Sequence, residues 1–143
     1  MARVARVVGE DTEVEKSDIT AELVSRLIAT QFPHWAHLEV APVEVDGWDN
    51  TTYRLGDDMS VRLPSGAGYV AQVEKERQWL PHLASHLPLP IPEPLAVGVA
   101  TDEFPRPWSV RAWPGVPATL DDVDDLGSFA ADLGGFLATL QGV

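Results

Sequence analysis

The sequence predicts an α+β fold: an antiparallel five-stranded sheet with a helix packed on it and further helices flanking both ends. Three observations carry this expectation. Residues 46–64 hold short strand-like runs separated by tight turns, an antiparallel meander. A helical pattern of apolar residues follows over 70–87, and a stronger one runs from Leu126 to Leu140. At 143 residues and 45% apolar composition, the chain is long enough for one domain with a real core and too apolar for disorder.

Composition also excludes. The net charge of −12 disfavours nucleic acid, whose phosphates need a basic face, and is compatible with a cationic small substrate or with solubility alone. The absence of cysteine removes disulfides, thiolate metal sites and a cysteine nucleophile, and fits a cytoplasmic protein. No run approaches the roughly 20 apolar residues of a membrane span. The two arginines near the start are followed by no long apolar stretch, unlike a signal peptide.

Taken in order, residues 1–16 read as a tail or an edge strand. A first helix begins at Ser17 or Asp18, buries Ile19, Leu23, Leu27 and Ile28, and stops at Pro33. His34 and His37 have no third ligand nearby and do not make a metal site. Glu39–Val45 reads as a strand. The turn at Asp46-Gly47 is either a plain hairpin or a loop whose backbone N–H groups form an anion nest, and one glycine does not decide between them. Thr51–Leu55 is the second strand, and Gly56-Asp57-Asp58 turns the chain into the third, ended by Pro64.

On that third strand Val61 and Leu63 point one way and Arg62 the other. In the helix that follows, led in by Gly66 and Gly68 and ending near His86, each residue advances about 100°. Val70, Val73, Leu80, Leu83, Ala84 and Leu87 form an apolar arc, and Glu76 falls inside it. A core-facing carboxylate must be paired or it takes up a proton. Arg62 is the nearest well-placed cation, so the two are expected to form an ion pair. The same spacing also fits a purely structural pair, or a glutamate that snorkels out at the helix end.

Prolines at 88, 90, 92 and 94 make a stiff connector, with Leu87, Leu89 and Ile91 directed to a core. Leu95–Ala100 and Trp108–Trp113 are the fourth and fifth strands. Trp48, Trp79, Trp108 and Trp113 are expected to pack first and to contact ligand second. Asp121, Asp122, Asp124 and Asp125 lack the pattern of a calcium loop and read as the capped start of a last helix. Its stripe of Leu126, Phe129, Ala130, Leu133, Phe136, Leu137 and Leu140 needs a partner: a dimer, the sheet, or more of a longer protein of which this chain is a fragment.

Over roughly residues 18–143 this order resembles the N-terminal lobe of the protein-kinase-like fold, and the wording resembles the aminoglycoside phosphotransferase family. The resemblance rests on Gly47-Trp48-Asp49-Asn50, Tyr53-Arg54-Leu55-Gly56-Asp57, Val61-Arg62-Leu63-Pro64, Glu74-Lys75-Glu76 with Trp79-Leu80, Leu89-Pro90-Ile91-Pro92-Glu93-Pro94, and Trp108-Ser109-Val110 to Trp113-Pro114-Gly115. It implies a nucleotide-binding lobe over 17–113, then a hinge and the first helix of a missing C-terminal lobe over 114–143. It implies that Gly47, Asp49, Asn50 and Thr51 cover the phosphates of ATP or GTP, that Arg62 holds them where many kinases use lysine, and that Glu76 orients Arg62. The backbone at Ala112 and Trp113 would bind the purine. Phosphoryl transfer in this fold also needs a catalytic aspartate and Mg2+ ligands. No His-Gly-Asp type motif follows any histidine here, so no catalytic residue and no metal ligand is expected in this chain. The implied reaction is phosphoryl transfer to a hydroxyl of a small molecule, with a non-catalytic binding or regulatory module as the alternative.

Overall fold

The computed structural model describes residues 14–113 and 120–143. Most of the expected tail over 1–16 and the hinge at Pro114-Gly115 lie outside these residues. The described elements are helix α1 (Ala21–Gln31), strands β1 (Val40–Pro42), β2 (Asn50–Leu55) and β3 (Met59–Pro64), helix α2 (Val70–Ala84), strands β4 (Pro94–Gly98) and β5 (Trp108–Ala112), and helix α3 (Leu126–Gln141). The strands form one antiparallel sheet in the order β1-β2-β3-β5-β4. The α+β class and the five antiparallel strands are therefore as expected.

Register gives the sheet two unlike faces. Tyr53 pairs with Val61, and Val61 with Val110, so one face carries Leu55, Val61, Leu63, Trp108 and Val110, all fully buried. Helix α1 contributes Leu23, Val24, Leu27 and Ile28 to the same core. Each such side chain contributes about 1.5–3 kcal/mol by leaving water. The other face carries Thr52, Arg62, Ser60, Ser109 and Arg111, brought into line by the pairs Thr52–Arg62, Arg62–Ser109 and Ser60–Arg111. A slip of one residue would exchange the two sets, so burial of the apolar one fixes the position of the polar one.

Several boundaries differ from the sequence reading. Helix α1 is capped by Thr20, whose hydroxyl accepts from the Leu23 N–H at 3.2 Å. Ser17 and Asp18 sit instead in a separate 3-10 turn, because Ile19 between the two must turn inward and is buried. Strand β1 is only three residues long. Pro42 has no N–H to continue the ladder, and Val45 is exposed. Helix α2 ends at Ala84, and of its expected arc only Val73 is fully buried. Leu89 is exposed, as is Leu95, so the proline connector does not send every leucine inward. Trp108 alone of the four tryptophans named above is fully buried, Trp113 is half-buried, and Trp48 and Trp79 stand in solvent. The turn before β5 adds two core residues with no periodic signal. Phe104 is fully buried, and the buried Arg106 donates to the Pro64 and Val14 carbonyls at 3.0 and 2.8 Å.

Asp125 caps α3, its carboxylate accepting from the Ser128 N–H at 3.1 Å, as expected of the acidic run. The α3 stripe is solvent-facing: Leu126, Phe129, Leu133, Leu137 and Leu140 are all exposed. No helix among the described residues is long and apolar enough to cross a membrane.

Candidate functional site

The polar face of the sheet is the floor of a cleft of about 670 Å³. Arg62 lines this cleft and Glu76 meets it from behind, with the guanidinium Nη1 and carboxylate Oε1 at 3.4 Å. This contact exists because strand alternation turns Arg62 away from the core while the helical period turns Glu76 towards the sheet. Arg111 also reaches Glu76, donating from Nη2 to Oε2. One carboxylate therefore serves two guanidiniums, one from β3 and one from β5.

Burial lowers the pKa of both arginines. For Arg62, Asp49 and then Asp46 work against that burial. For Arg111, burial first and the Arg62 charge second bring it down to about 10. Both remain cationic at neutral pH, which leaves the centre with one positive charge beyond what Glu76 neutralises. Such a centre attracts an anion with several acceptor oxygens, and guanidinium forks match phosphate geometry.

The loop before β2 forms one wall. Asp46 organises it: its Oδ1 accepts from the Gly47 N–H at 2.9 Å and the Thr52 N–H at 3.0 Å. Lys16, from the segment before α1, pairs with Asp46 at 3.1 Å and also donates to the Gly47 carbonyl. The Gly47 donor of the turn and the Thr52 donor of β2 are thus engaged by an internal carboxylate. On the loop's far side the Asp49 carbonyl accepts from the Ser65 N–H at 2.9 Å, tying it to the end of β3.

The opposite wall is the end of β5 with Pro90 and Pro92 of the connector. Trp113 presents its ring there, covered by the Arg54 guanidinium 4.5 Å from the ring centroid. The Ala112 N–H donates to the Glu93 carbonyl at 3.0 Å and the Trp113 N–H to the Asp58 carbonyl at 2.8 Å.

Six of the eight residues singled out in the sequence line the cleft: Gly47, Asp49, Asn50, Arg62, Ala112 and Trp113. Glu76 sits behind Arg62. Thr51 is not in the cleft, because alternation from Thr52 places it on the core side, where it is buried opposite Leu63. Three participants were missed. Arg111 was detectable, since it alternates with Val110 as Arg62 does with Val61. Lys16 acts through a contact that no local pattern announces, and Asp46, read only as a turn residue, also reaches Lys16 and Thr52.

The phosphotransferase enzyme family matches over residues 39–143. This chain belongs to that family. The match takes in every strand, the loop before β2 and the Arg62–Glu76–Arg111 centre, and leaves out Lys16 and α1. Among solved structures, the chain is similar to the GDP and kanamycin complex of APH(2")-IIIa, at 23% identity and a TM-score of 0.70, over 82% of this chain and 40% of that one. It is also similar to the GDP complex of wild-type aminoglycoside 2'-phosphotransferase-IIIa, at 23% identity and a TM-score of 0.70, over 85% of this chain and 42% of that one. At this identity the likeness shows the fold: the five-stranded sheet and its helices are those of the N-terminal lobe of the kinase-like fold. The chain spans about two fifths of the length of the structures it matches. No curated protein sequence matches it.

Proposed function

We propose that this family member is the nucleotide-binding lobe of a phosphotransferase that transfers the terminal phosphoryl group of ATP or GTP to a hydroxyl of a small molecule. The observation that carries the reading is the Arg62–Glu76–Arg111 centre on the floor of a cleft of about 670 Å³, a size that suits a nucleotide. In this reading Arg62 holds the phosphates and Glu76 orients it. Gly47, Asp49 and Asn50 cover the phosphates from the loop. Ala112 and Trp113 flank the purine; their own N–H groups are engaged within the protein, which leaves wall, ring and carbonyl contacts to hold it. The Thr51 side chain takes no part.

Catalysis in such a site is positioning and charge stabilisation, with the transferred group held in line between donor and acceptor oxygens. Magnesium would neutralise phosphate charge. Among the described residues no group of three or more carboxylates and imidazoles stands together to hold it. An aminoglycoside is the acceptor class we favour, supported by the family and by the kanamycin bound in one of the similar structures. The pool of nucleoside triphosphates would place the protein in the cytoplasm.

Calorimetric titration of the chain with magnesium-GTP and magnesium-ATP tests the nucleotide reading. Arg62→Ala is expected to weaken binding tenfold or more, about 1.4 kcal/mol or above. Equal affinity in the variant, or no heat at millimolar nucleotide, would refute it. Phosphate transfer to kanamycin by the gene product tests the acceptor separately.

A further inference from the structure

We propose that Arg111 is a positioning residue: it takes up the charge of Glu76, so that Arg62 is free to grip the phosphates of a nucleoside triphosphate. The inference rests on the nucleotide reading above and concerns a residue outside the expected pair.

The two arginines differ in a way that divides their labour. The Arg111 side chain is 7% exposed and that of Arg62 is 28% exposed, so only Arg62 opens substantially to the cleft. Arg111 lies on β5 between β3 and β4, paired with Ser60 on one side and Pro94 on the other, so its backbone is held on both sides. The Arg62–Glu76 separation of 3.4 Å is long for a charge-assisted hydrogen bond, and the other oxygen of the same carboxylate is taken by Arg111. Among the described residues Arg111 Nε is buried without a hydrogen-bond partner, an unfavourable placement that the Glu76 contact gives a reason to keep.

Without Arg111, Glu76 would be a half-buried carboxylate with Arg62 as the one guanidinium in contact with it. Pulling that guanidinium towards a phosphate would strand the charge. With Arg111 in place, Glu76 stays neutralised while Arg62 moves. Arg111 therefore affects ligands in proportion to their phosphates and leaves the purine end alone.

The test compares nucleoside triphosphate with the parent nucleoside, by titration of the whole chain, with circular dichroism as a check on folding. In Arg111→Gln, triphosphate affinity is expected to fall about tenfold, with nucleoside affinity unchanged. Arg111→Lys is expected to stay within about threefold of wild type. Glu76→Gln combined with Arg111→Gln is expected to lose less than the two single variants added together, because both act through the same carboxylate. A parallel loss for nucleoside and triphosphate, or no loss in Arg111→Gln, overturns the inference.

Should that variant not fold, nitrogen-detected side-chain resonances of wild type decide. On adding triphosphate the Arg62 guanidinium signals shift and those of Arg111 stay; the reverse overturns the inference. If wild type binds no triphosphate, or Arg62→Ala binds it equally well, the nucleotide reading fails and this inference falls with it. If those controls behave and only the Arg111 results disagree, the inference alone fails.

Discussion

At Gly98 the space for one side-chain carbon decides whether the sheet edge closes. Gly98 pairs with Trp108, and a Cβ there would run into the Trp108 indole, which is fully buried and cannot give way. Gly98→Ala is expected to destabilise the fold by about 1–3 kcal/mol through overpacking, read from urea denaturation. Single residues were also where the sequence spoke most unevenly. Arg62 and Glu76 were legible because one sits on the polar side of a period-2 strand and the other on the apolar side of a period-3.6 helix. Arg111 carried the same signal and was outweighed by its aromatic neighbours. Arg106 was not legible at all, since a buried guanidinium held by the Pro64 and Val14 carbonyls depends on contacts from remote parts of the chain.

Helices α1 and α3 look alike in sequence, each with a leucine-rich stripe, yet they differ in what they cover. Leu27→Ala in α1 removes a buried side chain and is expected to cost about 2–5 kcal/mol, whereas Leu133→Ala in α3 is expected to stay within about 0.5 kcal/mol. Thermal or chemical denaturation of the two variants side by side checks the contrast. Periodicity reports that a stripe exists and is silent on whether anything lies against it. For that reason the stripes were legible and the exposure of the one on α3 was not. Element ends failed for a related reason. Thr20 rather than Ser17 or Asp18 caps α1 because burial of Ile19 breaks the chain between them, and β1 stops at Pro42 because pairing with β2 is lost there.

Across the whole molecule the legible part was the order of elements, which fixes the lobe, and the obscure part was how remote segments lock it. The Asp46 loop is braced by Lys16 from before α1, and Tyr53 of β2 donates its hydroxyl to the Ile19 carbonyl at 2.7 Å. These long-range ties also shape the response to pH. Burial, then Asp46 and Glu22, raise the Tyr53 phenol above its ordinary value. Its stabilising contribution is therefore complete below about pH 10 and is lost as pH climbs through the raised value. A melting series in alkaline buffer should show this decline, and Tyr53→Phe should flatten it.

Arg111 has the opposite sign. With its pKa depressed to about 10, the unfolded chain binds that proton more tightly, so its contribution to stability rises with pH above that point. Triphosphate affinity is expected to hold level from about pH 7 to 9, where both guanidiniums stay cationic. Titration calorimetry across that range, on protein verified as folded, checks it.

The cleft also carries its own optical labels. Trp48 stands in open water on the loop, and Trp113 lines the same cleft beneath the Arg54 cation. A guest lodged between them would dry the first indole and disturb the second. Intrinsic fluorescence, blue-shifted on filling and red-shifted on washing out, would then follow occupancy in real time without any attached dye.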